Sequence, residues 1–355
     1  MTNQLIHFGG NDYLDLSRHP EVVQASCDAV REFGASTCAS RVSVGTLEIH
    51  RQLEGELADF LGLDDAVVLS SGYVAALAAF HGGRPSALPP HTVVLDDTTH
   101  PSVVAGARAS GASVRSYPRR ALAELERLLG EVLESGEAVL ASDGVDGFRG
   151  ELLPLKEIGA LADQYDLSLI VDDAHGVGIL GPDGRGSWAS QYMNRENLIV
   201  VGSLAKAFGS SGGFVAGDRS VIDAVRAGPV YTGSTALPPV GVAPARAALV
   251  VMRREPRRRE RLLALARRLR HEIRELGLST MGEDVEESAV PVITLSLDSP
   301  AAAMALVEKL ARLGIHIAHF TYTSGATASM VRIPLSARHR EGDVERLMDA
   351  LKQTL

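Results

Sequence analysis

The chain has 355 residues, 45% of them hydrophobic and 22% charged, with a formal net charge of −9. That length buries a large core and suits two domains, while the acidic balance excludes nucleic acid and anionic membrane surfaces as expected partners. Cys27 and Cys38 make no CxxC and no disulfide framework, no apolar run reaches membrane-spanning length, and the N-terminus lacks a basic segment followed by an apolar one, so a cytoplasmic protein without signal peptide or membrane span is expected.

From residue 66 onward, short apolar runs alternate with helical patterns. Strands are predicted at 66–70, 92–95, 113–117, 138–142, 167–171, 198–201 and 213–216, and helices at 73–81, 101–110, 121–133 and 155–165. The runs at 167–171 and 198–201 are apolar throughout, as in strands buried on both faces. Such strand–helix alternation implies an α/β fold with a mainly parallel central sheet. Around Pro238-Pro239 long helices take over, followed by alternating segments at 290–297 and 331–335. The expected organisation is an N-terminal segment 1–45, a large α/β domain 46–237 and a smaller α+β domain 238–355. Arginines cluster between Arg253 and Arg274, where Leu262, Leu265, Leu269, Ile273 and Leu276 recur at helical spacing. A solvated helix face opposite an apolar stripe accounts for that cluster better than an anion site does.

Ligands of such sheets bind beyond the carboxyl ends of the strands. Four chemically interesting segments fall at such ends: Ser70-Ser71-Gly72-Tyr73, Asp96-Asp97-Thr98-Thr99-His100, Asp172-Asp173-Ala174-His175 and Gly202-Ser203-Leu204-Ala205-Lys206. Of the 35 Lys and Arg residues only four are lysines, and Lys206 alone among them follows a buried-type strand into a glycine-rich loop. An amine held there loses hydration, which lowers its pKa and makes it a nucleophile toward carbonyls; taken alone it is equally a lysine reaching out of a loop into water. Asp172 is either a helix cap or a charge held for a cation. His175 and His100 are each either a ligand contact or a satisfied core histidine. Ser71-Gly72-Tyr73 is either a plain turn or the start of a helix whose amides bind phosphate. A carbonyl for Lys206, a pyridinium for Asp172 and a phosphate for Gly72 and Tyr73 together describe pyridoxal 5′-phosphate (PLP). No GxGxxG stands early in the fold, where a nicotinamide cofactor would need it, and no metal site is expected.

These segments and several others resemble the α-oxoamine synthase family of fold-type-I PLP enzymes, the 8-amino-7-oxononanoate synthase-like group. Asn11-Asp12-Tyr13-Leu14 is similar to the family's NDYLGL opening, and Ser40-Arg41 with Gly45 and His50 to its S-R-x-x-x-G-x-x-x-x-H segment. The matches continue through Asp172–Gly178, Gly184-Arg185-Gly186, Lys206–Gly209, Ser234-Thr235 with Pro238-Pro239, and Arg332 to His339. The resemblance implies a fold like that of aspartate aminotransferase. It implies condensation of an α-amino acid with an acyl thioester, on CoA or an acyl carrier protein, to an α-amino ketone with loss of CO2. It makes Lys206 the Schiff-base lysine, pairs Asp172 with the pyridinium nitrogen and His175 with the ring hydroxyl, and stacks His100 on the ring. It assigns Ser71, Gly72, Tyr73 and Ser203 to the phosphate, Ser234 and Thr235 to the phosphate of a neighbouring subunit in a homodimer with shared active sites, and Arg332 with Asn11 to the substrate carboxylate. An aminotransferase or aldolase on the same fold is the first rival reading, and a PLP-fold protein that only binds partners is the second.

Departures from the family pattern fall among substrate-facing residues. Ala76 replaces a usual asparagine, Gly147 a serine, Pro118-Arg119-Arg120-Ala121 an H-N-D segment, and Phe320-Thr321-Tyr322-Thr323-Ser324 a proline-rich one. The cofactor residues are intact, so retained PLP chemistry with a non-standard acyl donor or amino acid is expected.

Overall fold

One seven-stranded sheet organises most of the chain. Its order is Asp65–Leu69, Gly213–Gly217, Leu198–Ser203, Ser168–Asp172, Ala138–Asp143, Thr92–Asp96 and Ser113–Tyr117. Gly213–Gly217 runs antiparallel to both neighbours; the other pairings are parallel. The computed structural model describes residues 5–81, 92–191, 195–281, 289–317 and 329–354.

The sheet is central because its strands carry apolar side chains on both faces. Val67, Val68, Val93, Val94, Leu140, Ala141, Val171, Ile199, Val200, Phe214 and Val215 are fully buried, which requires helices on either side. Two of these helices approach closely. The helix Pro101–Ala109 presents Gly106 to Gly72–Ala79, where an added Cβ would lie 2.7 Å from the Ala76 carbonyl oxygen and from the Phe80 ring. Ala76 is fully buried in that contact. An apolar small residue there favours tight packing over a polar contact.

Local signals set the helix starts. Ser71 Oγ accepts the Val74 amide (3.1 Å) and so caps Gly72–Ala79. Pro101 occupies the first turn of Pro101–Ala109, where a missing N–H costs nothing. In Glu48–Leu61 the His50 Nδ1 accepts the Leu47 amide (3.1 Å) and its Nε2 donates to the Leu237 carbonyl (2.8 Å), fixing a neutral tautomer. Burial pushes the pKa of His50 down, in keeping with that state.

Contacts divide the chain into two compact units. The larger comprises Leu16–Val145 and Leu153–Arg254, and the smaller Met1–Asp15, Asp146–Leu152 and Glu255–Leu355. The pattern change near Pro238-Pro239 therefore falls inside the larger unit, which runs on through the helix Pro239–Arg254. In the smaller unit, Ile6–Phe8 pairs parallel with Ile315–Ile317, and Val292–Ser296 antiparallel with Met330–Pro334. The helix Arg257–Glu275 buries Leu262, Leu265, Leu269 and Ile273. Its arginines act as struts: Arg270 Nη2 donates to the carbonyls of Gly150, Val290 and Val292 at 2.8, 3.0 and 2.6 Å. Arg268 pairs with Glu272 and Glu345. Residues 320–324 lie outside the described residues.

Candidate active site

Sheet register gathers the sequence-predicted cofactor residues of the larger unit along one edge. Gly213 stands opposite both Leu69 and Ser203. Asp172 stands opposite Val201 on one side and Asp143 on the other. The segments that follow these strand ends therefore emerge side by side: Ser71-Gly72-Tyr73, His100, Asp172 to His175, and Ser203 to Lys206.

The contact between the first and last of these segments is tight. A Cβ on Gly72 would lie 3.2 Å from Ser203 Cβ and 3.4 Å from its Oγ, and one on Gly213 would lie 2.5 Å from Gly72 N and Cα. Only glycines bring the start of the helix Gly72–Ala79 this close to Ser203. The amides of Gly72 and Tyr73 belong to the first turn, whose N–H groups lack intrahelical partners. With the Ser203 hydroxyl alongside, this is a cradle for a phosphate dianion. The Tyr73 side chain is half exposed.

Asp172 is buried at its strand end. Its Oδ1 accepts the Ala174 amide (3.1 Å), and its Oδ2 takes no hydrogen bond from a described residue. A buried carboxylate with one oxygen uncommitted fits a protonated ring nitrogen, since a lone buried charge is costly without a partner. His175, three residues on, is half-buried. Lys206 is half-buried in a turn closed by the Gly209 amide on its carbonyl (2.9 Å). Gly209, at φ +59°, abuts the backbone of Leu16 and Ser17, with no room for a side chain. His100 donates its backbone N–H to Asp143 Oδ2 (3.0 Å) and sets its Nδ1 2.6 Å from Ser102 Oγ, leaving an exposed ring. The donor set of this edge thus suits PLP: phosphate cradle, carboxylate, two imidazoles and an amine. Among the described residues no group of three or more His, Cys, Asp or Glu could hold a metal ion, and no helix is long and apolar enough to cross a membrane.

Ser234 and Thr235 are engaged with other segments. Ser234 Oγ donates to the Val230 carbonyl. Thr235, exposed, bridges to Ser40, and the next amide, Ala236, donates to the Ala39 carbonyl (3.1 Å).

Within the smaller unit, Arg332 is held on three sides. Its Nε donates to the Gly147 carbonyl (2.7 Å), and its Nη2 to Asn11 Oδ1 (2.9 Å) and Tyr13 Oη (3.4 Å). Its Nη1 makes no bond to a described residue. With Nε and both Nη2 hydrogens occupied, the guanidinium keeps its two Nη1 N–H groups to offer a carboxylate. Gly147 lies in a turn wound about Asp146, whose Oδ1 accepts the amides of Phe148 and Arg149 and whose Oδ2 pairs with Arg149. Thr294 Oγ1 donates to the Phe148 carbonyl (2.6 Å). Gly150 closes the turn at φ +70°, with Val292 O only 2.0 Å from where a Cβ would stand.

Sequence reasoning named Tyr13 and Asp173 only as members of motifs and gave no role to them or to Asp143. Asp173 is wholly buried, and its carboxylate takes the Ser187 hydroxyl at Oδ1 and the Ser187 amide at Oδ2, each at 2.7 Å. Burial, resisted by the Ser187 bonds and reinforced by the Asp172 charge, pushes its pKa up to about 7. The available signal was glycine spacing, since Gly144, Gly176 and Gly186 all border this carboxylate.

Residues 3–351 match the family model "Aminotransferase class I and II". The 8-amino-7-oxononanoate synthase of Chromohalobacter salexigens is 36% identical over 349 residues, covering 98% of this chain and 88% of that protein. Serine palmitoyltransferase of Sphingomonas wittichii superposes with a TM-score of 0.91 at 27% identity, over 99% of this chain and 87% of its own. A high-resolution structure of SPT with PLP as the internal aldimine matches with the same TM-score, 0.91, the same identity, 27%, and the same coverage, 99% and 87%.

Proposed function

The chain belongs to the class I and II aminotransferase family and, within it, to the PLP-dependent α-oxoamine synthases, and on that premise we propose that it joins an α-amino acid to an acyl thioester, giving an α-amino ketone, CO2 and the free thiol. The observation that carries this reading is the row of strand ends in the larger unit, where a phosphate cradle, a buried carboxylate with a free oxygen and Lys206 emerge on adjacent segments.

Bound there, PLP supplies an aldehyde that captures amines and a cationic ring that draws electrons from the carbon beside the captured nitrogen. Lys206 Nζ would hold the cofactor's aldehyde and, as a free amine, would take the proton from the substrate Cα and return one to the product. Asp172 would accept the ring N–H through its uncommitted oxygen and keep that proton in place, and His175 would bond the ring hydroxyl. His100 would cover the ring face and would donate to the acyl oxygen of the thioester. The amides at Ser71, Gly72 and Tyr73 and the Ser203 hydroxyl bind the phosphate. Arg332, braced by Asn11, holds the substrate carboxylate. Ser234 and Thr235 reach the phosphate of a second copy, so the working form is a homodimer with shared sites.

The acyl donor rides on CoA or an acyl carrier protein. The relative from Chromohalobacter salexigens is named for 8-amino-7-oxononanoate. Gly147 and the Pro118 to Ala121 segment support an acyl donor or amino acid particular to this chain, because chain-length discrimination depends on pocket shape; Ala76 is packed between two helices.

The test has two parts. Borohydride reduction of the PLP-loaded protein should fix the cofactor on the peptide bearing Lys206, and Lys206→Ala should abolish both that adduct and turnover. A panel of amino acids against acyl-CoAs and acyl carrier proteins should release free thiol. Turnover of an amino acid without thiol release would assign the chain to aminotransferase or aldolase chemistry instead.

A further inference from the structure

The mechanism above leaves one buried acid unused. Asp173 lies between Asp172 and His175, yet its side chain points away from solvent into a closed socket. A Cβ on Gly176 would lie 2.1 Å from its Oδ1, one on Gly144 2.6 Å from the same atom, and one on Gly186 2.1 Å from its Oδ2. Three glycines from three separate segments thus give way to this one carboxylate. The remaining wall is Ser187, which donates both its hydroxyl and its amide.

The backbone of Asp173 is tied equally firmly. Its N–H donates to the Val201 carbonyl (2.9 Å), extending the pairing of the strand that carries Asp172 toward the strand that leads to Lys206. Its carbonyl accepts the amides of Gly176 and Val177, both at 2.9 Å, closing the turn that carries His175. Further along, Gly186 donates to Leu180 and Gly178 to Gly184, so the loop 176–186 folds back onto the socket. Any shift of the Asp173 carboxylate rotates this turn, and the flanking residues move with it. A carboxylate suits the place because two separate donors converge on its two oxygens; an amide would turn an N–H toward one of them.

We propose that Asp173 is a positioning residue of the cofactor site: gripped by Ser187 and the three glycines, it fixes the turn that presents Asp172 to the ring nitrogen and His175 to the ring hydroxyl. The proposal rests on the reading of this edge as the PLP site. It assigns Gly144, Gly176, Gly186 and Ser187 a role in cofactor geometry as well as in packing.

The test compares PLP-loaded wild type, Asp173→Asn and Ser187→Ala. Three quantities are read: the rate at which cofactor is lost to a PLP trap, followed through the visible band; the pH titration of that band; and kcat against KM for the amino acid. Asp173→Asn should release PLP about 10- to 100-fold faster and lower kcat by a similar factor, the scale of one or two hydrogen bonds to a charged acceptor, with KM for the amino acid changed less than about threefold. The midpoint of the band's titration should move, since Asp172 and His175 face the ring differently. Ser187→Ala should shift each quantity the same way by less, and it decides alone if Asp173→Asn does not fold. Variants with lowered thermal stability but wild-type release rate and titration would reduce Asp173 to a packing residue and overturn the proposal. A wild-type protein that forms no visible band with PLP would instead overturn the cofactor reading itself, and the proposal with it.

Discussion

Removing Arg41 tests how far buried charge holds the segment that meets Thr235. Arg41 and Glu54 form an ion pair at 2.8 Å with side chains only 3% and 7% exposed. Arg41 also donates to the Val68 carbonyl (2.9 Å) and Thr46 Oγ1 (3.0 Å) and lies 5.2 Å above the Tyr231 ring. Glu54 Oε1 accepts the Val68 amide as well (2.9 Å). In Arg41→Met the carboxylate loses its cation, and breaking such a pair costs about 3–5 kcal/mol. Protonation of Glu54 caps that cost. Burial raises the Glu54 pKa even with Arg41 present, and without the guanidinium it rises further. The cap is the work of protonating a carboxyl of ordinary pKa, about 4 kcal/mol at pH 7.5 and about 1.4 kcal/mol at pH 5.5. The sign follows: a folded-state pKa above the unfolded one gives stability that is present at low pH and lost as pH rises. Thermal unfolding of the apo protein should therefore show Arg41→Met lowered by about 8 °C at pH 7.5 and about 3 °C at pH 5.5, at roughly 2 °C per kcal/mol. Arg41→Met with Glu54→Gln keeps an acceptor for Val68 and should cost only about 1 kcal/mol at either pH. Equal losses in the single and double variants, or a single-variant loss that ignores pH, would refute the reasoning.

Three further outcomes are expected. Arg332→Lys cannot serve the Gly147 carbonyl, Asn11 and a substrate carboxylate together, so kcat/KM for the amino acid should fall roughly 100-fold, about 3 kcal/mol, with the visible PLP band intact; a change under about threefold would remove Arg332 from the carboxylate site. Asp172→Asn should slow exchange of the substrate Cα–H in D2O by at least about 100-fold while retaining much PLP, and an unchanged exchange rate would exclude its role beside the ring nitrogen. Burial raises the Asp173 pKa to about 7 from 3.8, so the ionised form that Ser187 grips costs more in the fold than in the unfolded chain, and apo wild type should lose up to about 4 kcal/mol relative to Asp173→Asn as pH rises from 4 to 7; urea unfolding of both proteins across that range checks it, and a flat difference would contradict it.

The central sheet was legible because its strands are buried on both faces, and Val, Ile and Leu runs announce that condition locally. Predicted strand 167–171 and observed Ser168–Asp172 differ by one residue at each end. The direction of Gly213–Gly217 was not legible, since an antiparallel strand between two covered strands carries the same apolar run. Pairing of Ile6–Phe8 with Ile315–Ile317 was invisible for a different reason: its partner lies some 300 residues away, and three residues carry no period. At the site, the segments at strand ends could be read because the fold class says where such ends converge. The supports beneath them could not. Asp173 and its socket arise from three glycines scattered over 144–186, which become neighbours only once the chain turns back on itself.

The same distinction bears on the departures from the family pattern that the sequence resembles. A phosphate, a ring nitrogen and an aldehyde impose fixed chemistry on the residues that meet them, and the residues proposed for that task sit on strand ends and a helix start fixed by sheet register. The hold on Arg332 is of another kind. Two of its supports are side chains of the segment Asn11–Tyr13, but the third is a backbone carbonyl, that of Gly147. A carbonyl survives any substitution that keeps the turn, and the turn is kept by Asp146, Thr294 and Gly150. Position 147 is therefore free to trade a serine side chain for none without loosening the arginine. On the proposed assignment, substrate preference could shift there while Arg332 stays where it is, so an altered substrate-facing residue is compatible with a retained carboxylate anchor.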